Sequence, residues 1–294
     1  MITECQAISP YLTAARGSIE LVEPRGNPPD GLPCPVHGTV LLDGGALIVA
    51  DEDLHLFNGC PWLKRLINAS AMLYNSKRHC LYLAGVPDED IARLPAVAER
   101  VELCRRNRKR MAEGKSCRSP KEFRDRVNPG FYAAVPAIVA LKREYIPVAL
   151  YGADDIPTFQ IIAVPDADLF HCGILMSKMH FEWMFALGGR LKGDLRYSTN
   201  LCFNAFPWPQ AGKAERQEVS ALAQNVFDAR RSHPDFNLDG IYDPKTMPQD
   251  VRKAHMELDA AVDRLYGGSR SESRIQTLLE EYSARKSKTI DRFF

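Results

Sequence analysis

GGRLKGDLRYSTNLCFNAFPWP, residues Gly188–Pro209, divides this chain into two kinds of sequence. Before it, Leu169–Leu187 is a largely apolar helical run that Gly188 and Gly189 stop. After it, apolar residues return at helical spacing in Val219, Leu222, Ala223, Val226 and Phe227. Pro248 opens a second helix carrying Val251, Ala254, Leu258, Val262 and Leu265, which Gly267 and Gly268 close. Ser269 and Glu272 have capping-box spacing for a third, bearing Ile275, Leu278, Leu279 and Tyr282. Residues 190–206 read as loop and strand, ending in the corner Phe206-Pro207-Trp208-Pro209. The fold class is therefore α+β: a mixed α/β region up to about residue 209, then a small all-helical one.

Working toward the N-terminus, residues 131–164 hold three β-type segments, FYAAVPAIVA, YIPVALY and TFQIIAV. Pro136 and Pro147 mark edges or irregularities, because proline donates nothing to a ladder. Residues 61–69 fit a short helix and Arg78–Ala84 a strand. Asp88 can cap a helix with Glu89 and Asp90 in its first turn. Pro95 can open another, with Val97, Val101 and Cys104 on one face. Residues 1–60 are rich in proline and glycine. Pro24–Gly31 must be loop, and Asp43-Gly44-Gly45 is a turn into a buried strand at 46–49.

Composition limits function. The 294 residues are 45% hydrophobic and 26% charged, with a net charge of +1, so this is no polycation that coats nucleic acid. No run approaches the roughly 20 apolar residues of a membrane span, and MITECQAISP is no signal peptide, so no membrane association and a cytoplasmic location are expected. Eight cysteines are scattered without a CxxC, and Cys34 with His37 lacks a second pair, so reduced thiols and no metal are expected.

Methyl-transfer chemistry is missing. No paired-glycine turn follows a strand to approach S-adenosylmethionine. Asn27-Pro28-Pro29 begins like the loop that holds a flipped adenine, but Asp30 stands where an aromatic must stack. Pro165-Asp166 lacks the following Glu-x-Lys of a nuclease, and HExxH and GxSxG are absent. His180 reads as a helix-face residue.

Two cationic features remain. Residues 100–126 hold eleven Lys/Arg against four Asp/Glu: Arg100, Arg105, Arg106, Arg108, Lys109, Arg110, Lys115, Arg118, Lys121, Arg124 and Arg126. Such a cluster suits phosphate contacts, and equally a solvated helix face. The second is Gly189–Ser198. Lys192 can donate to guanine O6 and N7, and Asp194 can accept from cytosine N4. On an extended segment these residues, two apart, point the same way and could read both partners of a G·C pair. A surface turn closed by a salt bridge is the competing reading.

GGRLKGDLRYSTNLCFNAFPWP closely resembles the end of the target-recognition domain of MmeI-type enzymes, single-chain restriction–modification proteins whose methyltransferase part modifies adenine. The resemblance extends to Ile8–Leu12, Val22–Arg25, Asp43–Ile48, Arg78–Leu83, Arg143–Pro147, Phe170–His180 and Leu238–Met247, essentially the whole chain. It implies that Lys192 and Asp194 form a specificity pair, the Lys/Asp version associated with guanine at one target position and a Glu/Arg version with cytosine. Arg190, Arg196, Tyr197 and Ser198 match the surrounding motif and are expected to hold phosphates or brace the loop, with Arg105, Arg106, Arg108, Lys109 and Arg110 as further backbone or supporting contacts. Phe206–Pro209 are expected to pack at a domain junction. Gly193 and Leu195 depart from the commoner Ser and aromatic.

The resemblance thus implies a DNA target-recognition domain at 1–209, with 1–60 leading in from a methyltransferase domain, and a C-terminal helical domain at 210–294. The expected partners are double-stranded DNA and a methyltransferase catalytic domain or subunit. The S-adenosylmethionine cofactor would sit in that catalytic part, leaving this chain inactive alone. The alternative is a gene remnant or protein-interaction module without DNA binding.

Overall fold

The computed structural model describes residues 7–8, 11, 14–15, 21–110, 119–268 and 273–290. The capping pair Ser269/Glu272, the cations Lys115 and Arg118, the acid Glu113, the cysteines Cys5 and Cys117, and most of Ile8–Leu12 lie outside the described residues. In chain order the elements begin with β1 (Ala7–Ile8), β2 (Ala14–Ala15), β3 (Val36–His37), β4 (Ile48–Val49), β5 (Leu63–Ile67), α1 (Ala69–Tyr74) and β6 (His79–Leu81). They continue with α2 (Asp88–Ala92), α3 (Pro95–Arg110), β7 (Tyr132–Pro136), β8 (Ile138–Val139), β9 (Ala149–Tyr151), β10 (Asp155–Pro157) and β11 (Ile161–Pro165). The last are α4 (Leu169–Met176), α5 (Lys178–Leu187), β12 (Gly189–Leu191), β13 (Asp194–Arg196), α6 (Lys213–Arg231), α7 (Leu238–Ile241), α8 (Gln249–Leu265) and α9 (Arg274–Ile290). None of the described helices is long and apolar enough to cross a membrane.

The chain forms two compact units. One comprises Pro35–Ala137 and Ala149–Asp166. It holds two four-stranded sheets, β3-β11-β7-β9, antiparallel throughout, and β10-β5-β6-β4, in which β10 and β5 run parallel. Pro136 sits at the end of β7, beyond the residues that β9 pairs. Residues 63–67 are a strand, not the helix that the local pattern predicts. LKRLI is short, and pairing with β6 and with the distant β10 supplies backbone partners that a five-residue helix cannot match. A helix follows only at Ala69, where the Asn68 side chain accepts from the Ala71 amide at 2.7 Å. Pro87 rather than Asp88 occupies the cap of α2, and the Asp88 carboxylate pairs with Lys121 at 2.7 Å. The Asp43 turn is as read, its carboxylate accepting from the Gly45 and Leu47 amides at 3.1 and 2.7 Å, but it runs on through Leu47 and leaves only Ile48–Val49 as strand.

The other unit comprises Met1–Cys34, Ile138–Val148 and Ala167–Phe294. Residue 210 marks a change of sequence pattern inside it rather than a gap in packing, because α4 packs on α6, and α6 on α8. A Cβ at Gly173 would stand 2.7 Å from Val219 Cγ1, so glycine permits this close approach. The apolar run 169–187 is two helices. Ser177 breaks it with an extended backbone; its hydroxyl donates to the Ile174 carbonyl at 2.7 Å and accepts from the His180 amide at 3.3 Å. Beneath lies an aromatic core of Trp183, Tyr197, Phe203, Phe206 and Trp208, all buried. The Trp indoles donate to the Leu201 and Phe203 carbonyls, so neither N–H is lost to burial.

Candidate nucleic-acid interface

Strands β12 and β13 form a hairpin in which Leu191 pairs with Asp194, leaving only Lys192 and Gly193 in the loop. Their φ angles are 51° and 96°. Two positive φ values in a two-residue loop match the twist of the flanking strands. The extended geometry that would set Lys192 and Asp194 on one strand face is therefore absent. The pair instead brackets a tight tip, Lys192 exposed at its apex and Asp194 half-buried at the first position of β13. Among the described residues they form no ion pair with each other, so the salt-bridged turn is not what is found.

Asp194 spends one oxygen on the protein. Its Oδ1 accepts from the Leu141 amide at 3.1 Å, just beyond β8, the third strand of this small sheet. Lys192 has no partner among the described residues. Below the tip the alternation is regular: Leu195 and Tyr197 are buried, whereas Arg196 is exposed and its side chain crosses the open face of Gly189. Leu195 fills the core position with an aliphatic group where an aromatic is commoner in the resembled motif.

The remaining motif residues brace the hairpin. Arg190 turns back onto the end of α5, donating to the carbonyls of Phe185, Gly188 and Gly189 at 2.9 to 3.3 Å and lying over the Phe185 ring. A cation is favoured at that helix terminus. The Tyr197 hydroxyl meets His180 Nε2 at 2.9 Å inside the core. Burial holds the His180 ring neutral, its pKa pushed down to about 3. His180 is therefore a support for the hairpin and cannot touch DNA. Ser198 is half-buried and leads into the short π-helical turn Thr199–Phe203. Phe206, Pro207, Trp208 and Pro209 are all buried.

In the first-described unit, α3 sorts the basic cluster. Val97, Val101 and Cys104 face the core, and Arg108 continues the same stripe. Only 6% exposed, Arg108 donates through Nε to the Leu42 carbonyl at 2.9 Å and through its amino groups to the carbonyls of Leu41, Ser119 and Glu122. Of the two roles expected for it, phosphate contact and loop support, Arg108 is placed for the second: four of its five N–H groups hold loop carbonyls. Arg105 pairs with Glu102, Arg100 with Asp53, Lys121 with Asp88, Arg124 with Asp125 and Arg126 with Glu122. Arg106, Lys109 and Arg110 remain exposed and without an ion pair among the described residues, at i, i+3 and i+4 on one helix face. Among the described residues no group of His, Cys, Asp and Glu is arranged to hold a metal ion.

Residues 16–210 match the family model described as MmeI, target recognition domain, and residues 211–290 the one described as MmeI, C-terminal domain. The chain is 34% identical over 287 residues to DNA methyltransferase A of Bacillus subtilis (strain 168), covering 94% of this chain and 32% of that protein. A solved structure of the type IIL restriction-modification enzyme MmeI in complex with DNA superposes with a TM-score of 0.86 at 29% identity, covering 96% of this chain and 39% of the other. The chain thus spans well under half the length of these relatives.

Proposed function

The chain belongs to the MmeI family, as its target recognition and C-terminal domains, and from that premise we propose that it reads duplex DNA sequence for an adenine-specific methyltransferase of a restriction–modification system. The observation that carries the reading is the hairpin tip: an exposed Lys192 and an Asp194 oxygen that have no partner among the described residues, on a base anchored by buried Leu195 and Tyr197. A lysine ammonium donates to guanine O6 and N7 in the major groove, and a carboxylate accepts from cytosine N4. Lys192 and Asp194 together therefore favour G·C in one orientation. Arg196, and on α3 Arg106, Lys109 and Arg110, supply sequence-blind phosphate contacts.

Methyl transfer belongs to a catalytic domain or subunit that binds S-adenosylmethionine. The residues here do not fit that cofactor, because no described strand leads through a paired-glycine turn into a helix. No step of the transfer is assigned to this chain.

Duplex binding measured against salt tests the reading. Phosphate contacts require affinity to fall linearly on a logarithmic scale as salt rises. A flat response rejects DNA recognition. In a selection from randomised duplexes, Lys192→Glu with Asp194→Arg should change the preferred base at one position, and an unchanged preference rejects the assigned pair.

A further inference from the structure

Four consecutive residues after β8 are fastened to the helices. Lys142 pairs with Asp243, and the buried Arg143 with Asp239 of α7. Glu144 accepts from Lys178 Nζ at 3.4 Å and from Arg252 at 3.3 Å. The Tyr145 hydroxyl donates to Asp259 at 2.9 Å, and the Lys178 amide donates to the other oxygen of Asp259 at 2.7 Å. The motifs at Arg143–Pro147 and Ile241–Pro244, distant in sequence, are thus parts of one clasp.

Exposed ion pairs fix little by themselves. Arg143 is different. Its guanidinium is buried, its Nη1 finds no acceptor, and Asp239 is its one carboxylate partner among the described residues. Removing one member of a buried pair leaves a charge uncompensated. The clasp therefore holds the backbone of 142–143, and the Arg143 amide closes a turn onto the Ala140 carbonyl at 3.0 Å. Within that turn, the Leu141 amide donates to Asp194 Oδ1. One peptide group separates the clasp from a carboxylate at the hairpin tip.

We infer that the C-terminal helical region is a positioning element for base recognition. Asp239 and Asp243 hold the Ala140–Arg143 turn, and the Leu141 amide of that turn fixes the plane of the Asp194 carboxylate, and with it the direction in which the second oxygen offers its lone pairs. This rests on the reading of the hairpin as the base-contacting element. Without the Leu141 amide the carboxylate plane rotates freely and its lone pairs lose their fixed direction, so preference at one base pair relaxes while phosphate-driven affinity stays.

The test uses the full chain and a selection from randomised duplexes. Leu141→Pro is the sharpest variant. Leu141 is the second residue of the turn, where proline is favoured, and the substitution removes the amide donor together with a side chain that is already half-exposed. Base preference at the position governed by Lys192 and Asp194 should fall about tenfold, the scale of one good base contact, with affinity for unrelated duplex changed less than about twofold. Asp243→Asn should act in the same direction and, by NMR, raise the hydrogen exchange rate of the Leu141 amide several-fold. Asp239→Asn should do so more strongly; should it fail to fold, the other two variants decide. Unaltered preference in Leu141→Pro and unaltered exchange in Asp243→Asn overturn the inference while leaving the hairpin reading intact. If the Lys192→Glu, Asp194→Arg exchange itself leaves the preference unchanged, the hairpin reading fails and takes this inference with it.

Discussion

Replacing Asp259 by Asn should make the protein relatively more stable as pH rises. Asp259 is 6% exposed, and burial raises its carboxyl from the ordinary 3.8 to about 6, against the Lys178 amide, the Tyr145 hydroxyl and Arg274, which favour ionisation. A folded value above the unfolded one means that the native state binds the extra proton. At low pH both states are protonated and the group costs nothing. As pH climbs from 3.8 toward about 6 the unfolded chain ionises first, and native stability falls by an amount that is then constant above that range. Displacement from 3.8 to about 6 corresponds to roughly 3 kcal/mol as an order of magnitude. Asparagine keeps an acceptor for the Lys178 amide and reverses the Tyr145 contact by donating its N–H to the phenol oxygen; the Tyr145 O–H loses its acceptor, a cost that does not vary across this pH range. Urea unfolding at closely spaced pH values, for both proteins, isolates the effect, because carboxylates lowered in both, such as Asp168 and Asp250, cancel in the difference. The mutant-minus-wild-type stability should grow by about 1 to 3 kcal/mol across the titration. A difference that stays level with pH would refute the reasoning.

Two further perturbations probe the hairpin and the basic helix. A Cβ on Gly188 would stand 2.5 Å from the Met184 carbonyl oxygen and 3.0 Å from that of Arg196, both backbone atoms. Gly188→Ala should therefore cost about 1 to 3 kcal/mol by calorimetry and weaken base preference; an unchanged Tm contradicts the close seating of hairpin on helix. Arg108→Gln should lower stability by about 3 kcal/mol or more and leave the salt dependence of duplex binding alone. The triple exchange of Arg106, Lys109 and Arg110 to Gln should do the reverse, reducing the logarithmic salt slope by up to about 2.7. A triple variant with the wild-type slope removes α3 from the interface.

What the sequence makes legible is local. The stripes of α6 and α8, the start of α3 at Pro95 and the Asp43 turn follow from spacing and capping chemistry alone. Arg108 was also legible: it stands four residues after Cys104 on the stripe of Val97 and Val101, a position that predicts burial, but its charge argued for solvent. The failures are mostly non-local. LKRLI becomes a strand because β10, some ninety residues away, pairs with it. The Ser177 break is a hydroxyl cap hidden in an apolar run. The hairpin lacks the Asn-Gly signature of its turn type, so Lys-Gly read as extended chain. The clasp on 142–145 joins residues about a hundred apart, which no periodicity can reveal.

The left-handed backbone at Lys192, φ 51°, also governs which side chains this corner can ever present. Any Cβ costs about 1 to 2 kcal/mol in this region, and branching at Cβ adds to that penalty. Threonine or valine, whose methyl groups could meet the methyl of thymine under the proposed reading, are thus handicapped by the backbone alone. Long unbranched side chains such as Lys, Arg, Glu and Gln fit the backbone with less strain. The alphabet open to evolution at this apex is accordingly one of flexible hydrogen-bonders, and a hydrocarbon dialect would have to be spoken by neighbouring Leu191, half-exposed on an ordinary strand.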